Sequence, residues 1–223
     1  VWGKGIARGG LWPYIGFLSD ANRTSTRLED SHMKLVIFED NQWDHFAPLT
    51  YVRGVFELRT GATTLAAKIE RAVGQAADVV CVRDYLAALV TRRCGKAAVN
   101  DFSKLKGEEI LFVNARVCGV EWAVPKDKVA VWKGEQLAAW RTTGDVSGIK
   151  DYAALAAAAQ ASPKTEFTGK WFDYIWDLML ASPELITADF KASGRRGIEG
   201  KMHESSVIYG PKDQVFIGEG AEI

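Results

Sequence analysis

The chain has 223 residues, 48% of them hydrophobic and 25% charged, with Lys+Arg and Asp+Glu balanced at 28 each. A net charge of zero gives no support for a nucleic-acid partner, which normally shows as a basic excess, and no apolar run approaches the ~20 residues of a membrane span. Three scattered cysteines (Cys81, Cys94, Cys118) make no CxxC pair, which argues against a disulfide scaffold or thiolate metal site and for a soluble cytoplasmic protein.

Residues 1–32 mix glycines, arginines and aromatics without helical or alternating periodicity, and they lack the parts of a secretory signal. Met33 stands directly before an apolar strand, Leu35–Phe38, so 1–32 is expected to be an extension outside the domain. The strand runs into Glu39 and Asp40 and then a loop, Glu39–Ala47, with no glycine. Thr63–Val73 reads as a helix: Thr63 or Thr64 caps it, Leu65, Ile69 and Val73 share a face, and Gly74 stops it. Asp78–Val82 is a short buried-type strand, and Asp84 is placed to cap the helix that follows, with Arg92 and Arg93 in its last turn.

Glu109–Ala115 is the next apolar strand and the candidate for the sheet's centre. Lys128–Trp140 carries two apolar runs around Lys133–Gly134, a hairpin signal. Asp151–Ala161 is alanine-rich and reads as helix, Phe172–Leu180 as an amphipathic helix, and Ser182–Pro183 as the start of another reaching Phe190. Strands alternating with helices and then a hairpin define an α/β domain with a mostly parallel sheet, a Rossmann-like arrangement. The expected domain covers 33–191, with a glycine- and arginine-rich linker at 192–206.

Five short motifs in order carry a resemblance. Pro48–Thr50 with Arg53, Leu58–Arg59 with Gly61, Thr64–Leu65 with Lys68, Ile110–Val117, and Tyr174–Met179 with Ile186–Phe190 resemble the sugar nucleotidyltransferases related to the bifunctional N-acetylglucosamine-1-phosphate uridyltransferase/acetyltransferase. The closing stretch resembles the hexapeptide repeats of that group: Ile217–Glu222 followed by Ile223 makes one hexad and the next hexad's first apolar residue. Stacked hexads build a left-handed parallel β-helix, because each face of the triangular coil buries one side chain in every six. The resemblance therefore implies a nucleotidyltransferase domain of the glycosyltransferase-A-like kind, then the first coil of a β-helix at 207–223, continuing into an acyltransferase. An ordinary hairpin with Gly218 and Gly220 in its turns is the other reading.

The activity implied is attack of a sugar 1-phosphate oxygen on the α-phosphate of a nucleoside triphosphate, expelling pyrophosphate, with Mg²⁺ as the expected cofactor and a homotrimer through the β-helix as the expected assembly. Such chemistry asks the protein to position groups and neutralise charge. The resemblance places nucleotide and phosphate contacts on Asp40, Arg53, Arg59 and Gly61, charge neutralisation in catalysis on Arg53 and Arg59, and a metal ligand at Asn114.

The residues depart from this pattern in places. The glycine loop is replaced by Glu39–Ala47, and Glu39 and Asp40 are expected to repel a triphosphate unless a metal lies between. Gly54 and Val55 stand where relatives place Pro and Lys, and Asn114 stands where Asp would bind metal with a full charge. Plainer roles exist: Arg53 and Arg59 in surface ion pairs, Asp40 as a turn former, Asn114 satisfying backbone groups, His45 as a surface residue. Core packing explains Trp176 more simply than a sugar-stacking platform. A non-catalytic nucleotide- or sugar-binding or assembly module of the same fold is the alternative function.

Overall fold

A computed structural model describes residues 33–223, apart from Glu121 and Ser147, so the expectation for 1–32 lies outside the described residues. The apolar run after Met33 forms β1 (Lys34–Phe38), and three short helical turns (Trp43–Phe46, Leu49–Tyr51, Val55–Glu57) follow in place of a glycine loop. A two-residue hairpin, β2 (Arg59–Thr60) and β3 (Thr63–Thr64), leads into α1 (Leu65–Val73). Of the two threonines, Thr64 is the cap: its hydroxyl accepts from the Ala67 N–H at 3.1 Å, while Thr63 belongs to the hairpin. Gly74 ends α1 in the left-handed region, φ +84°, where a side chain would be strained.

β4 (Val79–Cys81) and α2 (Asp84–Thr91) come next. Asp84 is inside the first turn of α2 and Arg83 holds the cap position, a correction to the expected capping; the carboxylate still lies at the positive end of the helix. β5 (Ala98–Val99), too short for any periodicity, was not expected. β6 (Glu109–Asn114), β7 (Ala130–Lys133) and β8 (Gln136–Thr143) follow, the last two joined by a tight turn with Gly134 at φ +58°. Asp151 caps α3 (Tyr152–Ala159) by accepting from the Ala154 N–H. β9 (Lys164–Glu166), α4 (Ile175–Leu180) and α5 (Ser182–Ser193) complete the sheet and its helices.

The sheet has seven strands in the order β5-β4-β1-β6-β8-β7-β9. β5, β4, β1 and β6 are mutually parallel, β8 runs against β6 and β7, and β9 is parallel to β7. β6 is the middle strand, as its apolar run implied. Alternation along β1 and β6 divides the core. Leu35, Ile37, Leu111 and Val113 face α1, α2, α4 and α5 through Leu65, Ile69, Leu86, Leu178 and Leu185. Val36, Phe38, Ile110 and Phe112 face α3 through Leu155 and Ala159.

The chain steps from β1 to β4 and β5 on one side and then returns to β6 on the other. That reversal falls at the carboxyl ends of β1 and β6, where the general rule for open α/β sheets places the ligand crevice.

Three expectations about the later chain change. Gly197–Ile198, inside the segment read as a linker, forms β10 and pairs in parallel with β11 (Phe216–Ile217), and Lys201 bridges Glu222 in the same sense. These short pairings do not amount to an evident β-helix. Trp176 is not core: it is 53% exposed, because α4 starts at Ile175 and turns only Leu178 inward.

Candidate active site

The register places the ends of three strands side by side: Phe38 pairs with Asn114 on one flank and Cys81 on the other. Each strand then delivers polar residues to the same edge, Glu39 and Asp40 after β1, Arg83 after β4, and Asn114 with Arg116 at the end of β6.

Arg116, absent from the sequence-predicted set, is the centre of the arrangement. It is 1% exposed. Asp40 Oδ2 accepts from its Nε at 2.9 Å and lies 2.6 Å from its Nη2. Nη2 also donates to Gln136 Oε1 at 2.5 Å, and Nη1 to Asp173 Oδ1 at 3.3 Å. The guanidinium lies 4.4 Å from the centre of the Trp171 ring. Asp173 in turn accepts from Lys133 Nζ at 2.8 Å and from Trp171 Nε1 at 2.9 Å. Burial alone would raise the Asp173 carboxyl, but Lys133, Trp171 and Arg116 outweigh it and hold it below its ordinary range. Asp40, Arg116, Asp173 and Lys133 thus form an alternating chain of charge running from the buried end of the crevice to half-exposed Lys133.

Asp40 and Asn114 lie side by side, the Asn114 Nδ2 donating to Asp40 Oδ2 at 2.9 Å. Asn114 Nδ2 also donates to the Leu137 carbonyl, and its Oδ1 accepts from the Arg116 N–H. Asp40 Oδ1 accepts from the Gln42 N–H. The oxygens of Asp40 and Asn114 therefore already have donors, and the Arg116 guanidinium is one of those on Asp40. Among the described residues no group of three His, Cys, Asp or Glu side chains converges as a metal site. The residues present do not fit the expected Mg²⁺.

Glu39 and Asp40 do not present bare charge to a phosphate, which corrects the expected repulsion: Asp40 is neutralised by Arg116, and Glu39 Oε2 lies 3.3 Å from Arg83 Nε. Glu39 Oε1 accepts from the Val55 N–H at 2.5 Å. Burial pushes the Glu39 carboxyl up to about 7 against the opposing pull of Arg83 and the Val55 N–H. Arg83 stacks over Trp43 at 4.0 Å and donates to the carbonyls of Thr50 and Arg53. Glu39 and Arg83 together tie down the segment that stands in place of a glycine cradle.

Arg53 projects from that loop, exposed, and its guanidinium makes no hydrogen bond or ion pair with a described residue. Arg59 is also exposed, but it donates to the Ala62 carbonyl and stiffens the β2–β3 hairpin. Neither shares a bond with the Asp40–Asn114 pair.

Gly61 packs against α5: a Cβ there would lie 2.8 Å from the Leu185 carbonyl carbon, and its φ is +68°. The hairpin is held by Asp189, which accepts from the N–H groups of Ala62 and Thr63, from Lys68 Nζ at 2.5 Å and from Arg71. The Lys68 and Asp189 side chains are 0% and 1% exposed, so the two distant motifs that contain them meet in a buried ion pair.

A run of three near-parallel rings flanks the crevice. His45 stacks on Tyr174 at 4.7 Å and Tyr174 on Trp176 at 4.5 Å. His45 Nδ1 lies 3.0 Å from the Asp173 carbonyl, so His45 positions the Asp173 segment instead of lying loose on the surface.

A mostly parallel sheet with helices on both faces, and charged groups gathered at its switch point, defines a doubly wound α/β protein, the class whose ligands bind at that point. The family model for sugar nucleotidyl transferases matches residues 35–196. The chain belongs to that family. No curated protein matches it. Among solved structures, a protein from Bacillus anthracis assigned as a glucose-1-phosphate thymidylyltransferase, crystallised with sucrose, is similar at 10% identity. The match covers 70% of this chain and 96% of that one with a TM-score of 0.40, too slight a likeness to carry substrate or mechanism. No described helix is long and apolar enough to cross a membrane.

Proposed function

We propose that the protein transfers a nucleotidyl group from a nucleoside triphosphate to a sugar 1-phosphate. A phosphate oxygen of the sugar attacks the α-phosphorus, the bond from that phosphorus to the bridging oxygen breaks, and pyrophosphate leaves with the electron pair. Family membership supplies the class of reaction. The observation that carries the site is Arg53, an exposed guanidinium held out by Arg83 on the loop beside the carboxyl ends of β1 and β4. A planar fork of this kind suits a leaving pyrophosphate. Lys133, 38% exposed and paired with Asp173, is a further accessible cation.

Mg²⁺ use, an acyltransferase activity, a β-helix beginning near residue 207 and a trimer rest on the resemblance alone. The saturated state of Asp40 and Asn114 favours a second reading, a nucleotide- or sugar-binding module without turnover. Incubating the protein with nucleoside triphosphates and a panel of sugar 1-phosphates, with and without Mg²⁺, decides between them. Pyrophosphate release that falls in Arg53→Ala supports transfer. No release, together with a melting temperature that nucleotides raise, supports the binding module.

A further inference from the structure

We propose that the Arg116 guanidinium is the resident cation of this crevice, standing where the β1/β6 switch point would otherwise hold a divalent metal, so that polyphosphate binding here needs no divalent ion. The inference rests on the nucleotidyltransferase reading for its ligand class, a pyrophosphate-bearing anion, and on the side-chain geometry for the rest.

Asp40 Oδ2, Gln136 Oε1 and Asp173 Oδ1, from three separate parts of the chain, all converge on the one guanidinium. These are hard oxygens, carboxylate and amide, of the kind that Mg²⁺ takes. Asn114, whose carbonyl is the remaining oxygen at the strand end, gives it to the backbone N–H of Arg116 itself. A guanidinium cannot be deprotonated in a protein and offers five donors in a fixed plane, so it can satisfy several acceptors permanently where an ion would come and go. With Arg116 1% exposed, a divalent cation on the same oxygens would sit beside a buried like charge.

Two carboxylates, Asp40 and Asp173, face two cations, Arg116 and Lys133, and the cluster is neutral within the chain. Its most exposed members are Asp173 and Lys133. The Asp173 and Lys133 side chains are 40% and 38% exposed, and the Arg116–Asp173 contact, 3.3 Å, is the longest in the set. An incoming polyphosphate replaces Asp173 as the partner of Lys133 and of Arg116 Nη1, and the charge it meets comes from these side chains. Arg116 is in this sense a positioning residue that becomes a direct contact only when Asp173 yields.

Manganese(II) titration followed by electron paramagnetic resonance tests the proposal on the full chain without any nucleotide. The wild type is expected to leave the free-ion signal intact, and its melting temperature is expected to be the same in EDTA and in Mg²⁺. Arg116→Gln removes the guanidinium while keeping the acid groups. It is expected to attenuate the free Mn²⁺ signal and to gain melting temperature from the ion, both lost when Asp40→Asn is added. Mn²⁺ binding by the wild type that Asp40→Asn abolishes overturns the proposal, as does a folded Arg116→Gln protein that takes up no Mn²⁺.

Asp173→Asn, at the exposed end, covers the case in which Arg116→Gln does not fold. Its affinity for inorganic tripolyphosphate in EDTA should rise severalfold, and an unchanged affinity overturns the proposal. Loss of turnover with these outcomes intact would count against the transferase reading alone.

Discussion

Asp40 Oδ2 lies 2.6 Å from Arg116 Nη2, with the two side chains 3% and 1% exposed. A charge pair so enclosed contributes little net stability by existing, since desolvation offsets most of its attraction, but removing one partner strands the other. Arg116→Ala is therefore expected to cost about 3–5 kcal/mol. Urea denaturation at neutral pH measures this. Asp40→Asn should be milder, because the amide oxygen still accepts from the guanidinium.

The Glu39 carboxyl is raised to about 7 from an ordinary 4.5, with Arg83, Asp40 and Cys81 the titratable groups facing it. The folded protein binds this proton more tightly than the unfolded chain, so its contribution is complete below about 4.5 and is lost as pH rises through about 7. The loss amounts to roughly 3 kcal/mol at ~1.4 kcal/mol per unit. Stability measured by denaturant between those two values should fall with pH in the wild type, and Glu39→Gln should flatten the slope. Glutamine keeps an acceptor for the Val55 N–H, which isolates the effect of the proton.

Gly61→Ala combines two penalties: a residue at φ +68° and a Cβ that would lie 2.8 Å from α5 backbone and 2.9 Å from Asp189 Oδ2. Strain and overpacking together are expected to cost about 2–4 kcal/mol. Because Asp189 anchors the hairpin that carries Arg59, amide hydrogen exchange at Ala62 and Thr63 should accelerate before the rest of the sheet.

Asp189→Ala leaves Lys68 buried without its partner and releases the Ala62 and Thr63 N–H groups. A cost of about 3–5 kcal/mol is expected from the stranded ammonium. In the wild type, burial alone would raise the Asp189 carboxyl, but Lys68 and Arg71 hold it below its ordinary range. Its stabilising contribution is thus present at neutral pH and lost as the medium is acidified below the ordinary aspartate range, a change that an acid titration of the melting temperature in wild type and variant resolves.

Trp176→Ala should change stability by no more than about 0.5–1 kcal/mol, as for an exposed position. A loss of about 3–5 kcal/mol would mark it as core instead. Chemical denaturation of the variant, followed by circular dichroism, measures the difference.

The strands and helices long enough to show a period were legible in the residues. β1, β6, the β7–β8 hairpin, α1 and α3 follow from apolar alternation, threonine and aspartate caps and a glycine stop, because these are interactions between residues close in the chain. β5 and β9, two and three residues long, have no period of their own and exist only because a neighbouring strand supplies partners. The ordered motifs were enough to place the chain among the sugar nucleotidyl transferases, and the resemblance marked Asp40, Asn114, Arg53 and Arg59 as candidate site residues.

What those residues face was decided by tertiary structure. The Asn-Ala-Arg triplet at the end of β6 was visible as a motif, yet nothing local indicates that Arg116 turns back into the crevice. Its partners Asp40, Gln136 and Asp173 come from three distant segments, joined only when the sheet closes. Local sequence specifies which charges exist, whereas their pairing depends on burial, which removes water as a competitor and forces each charge to find its counterpart in the fold.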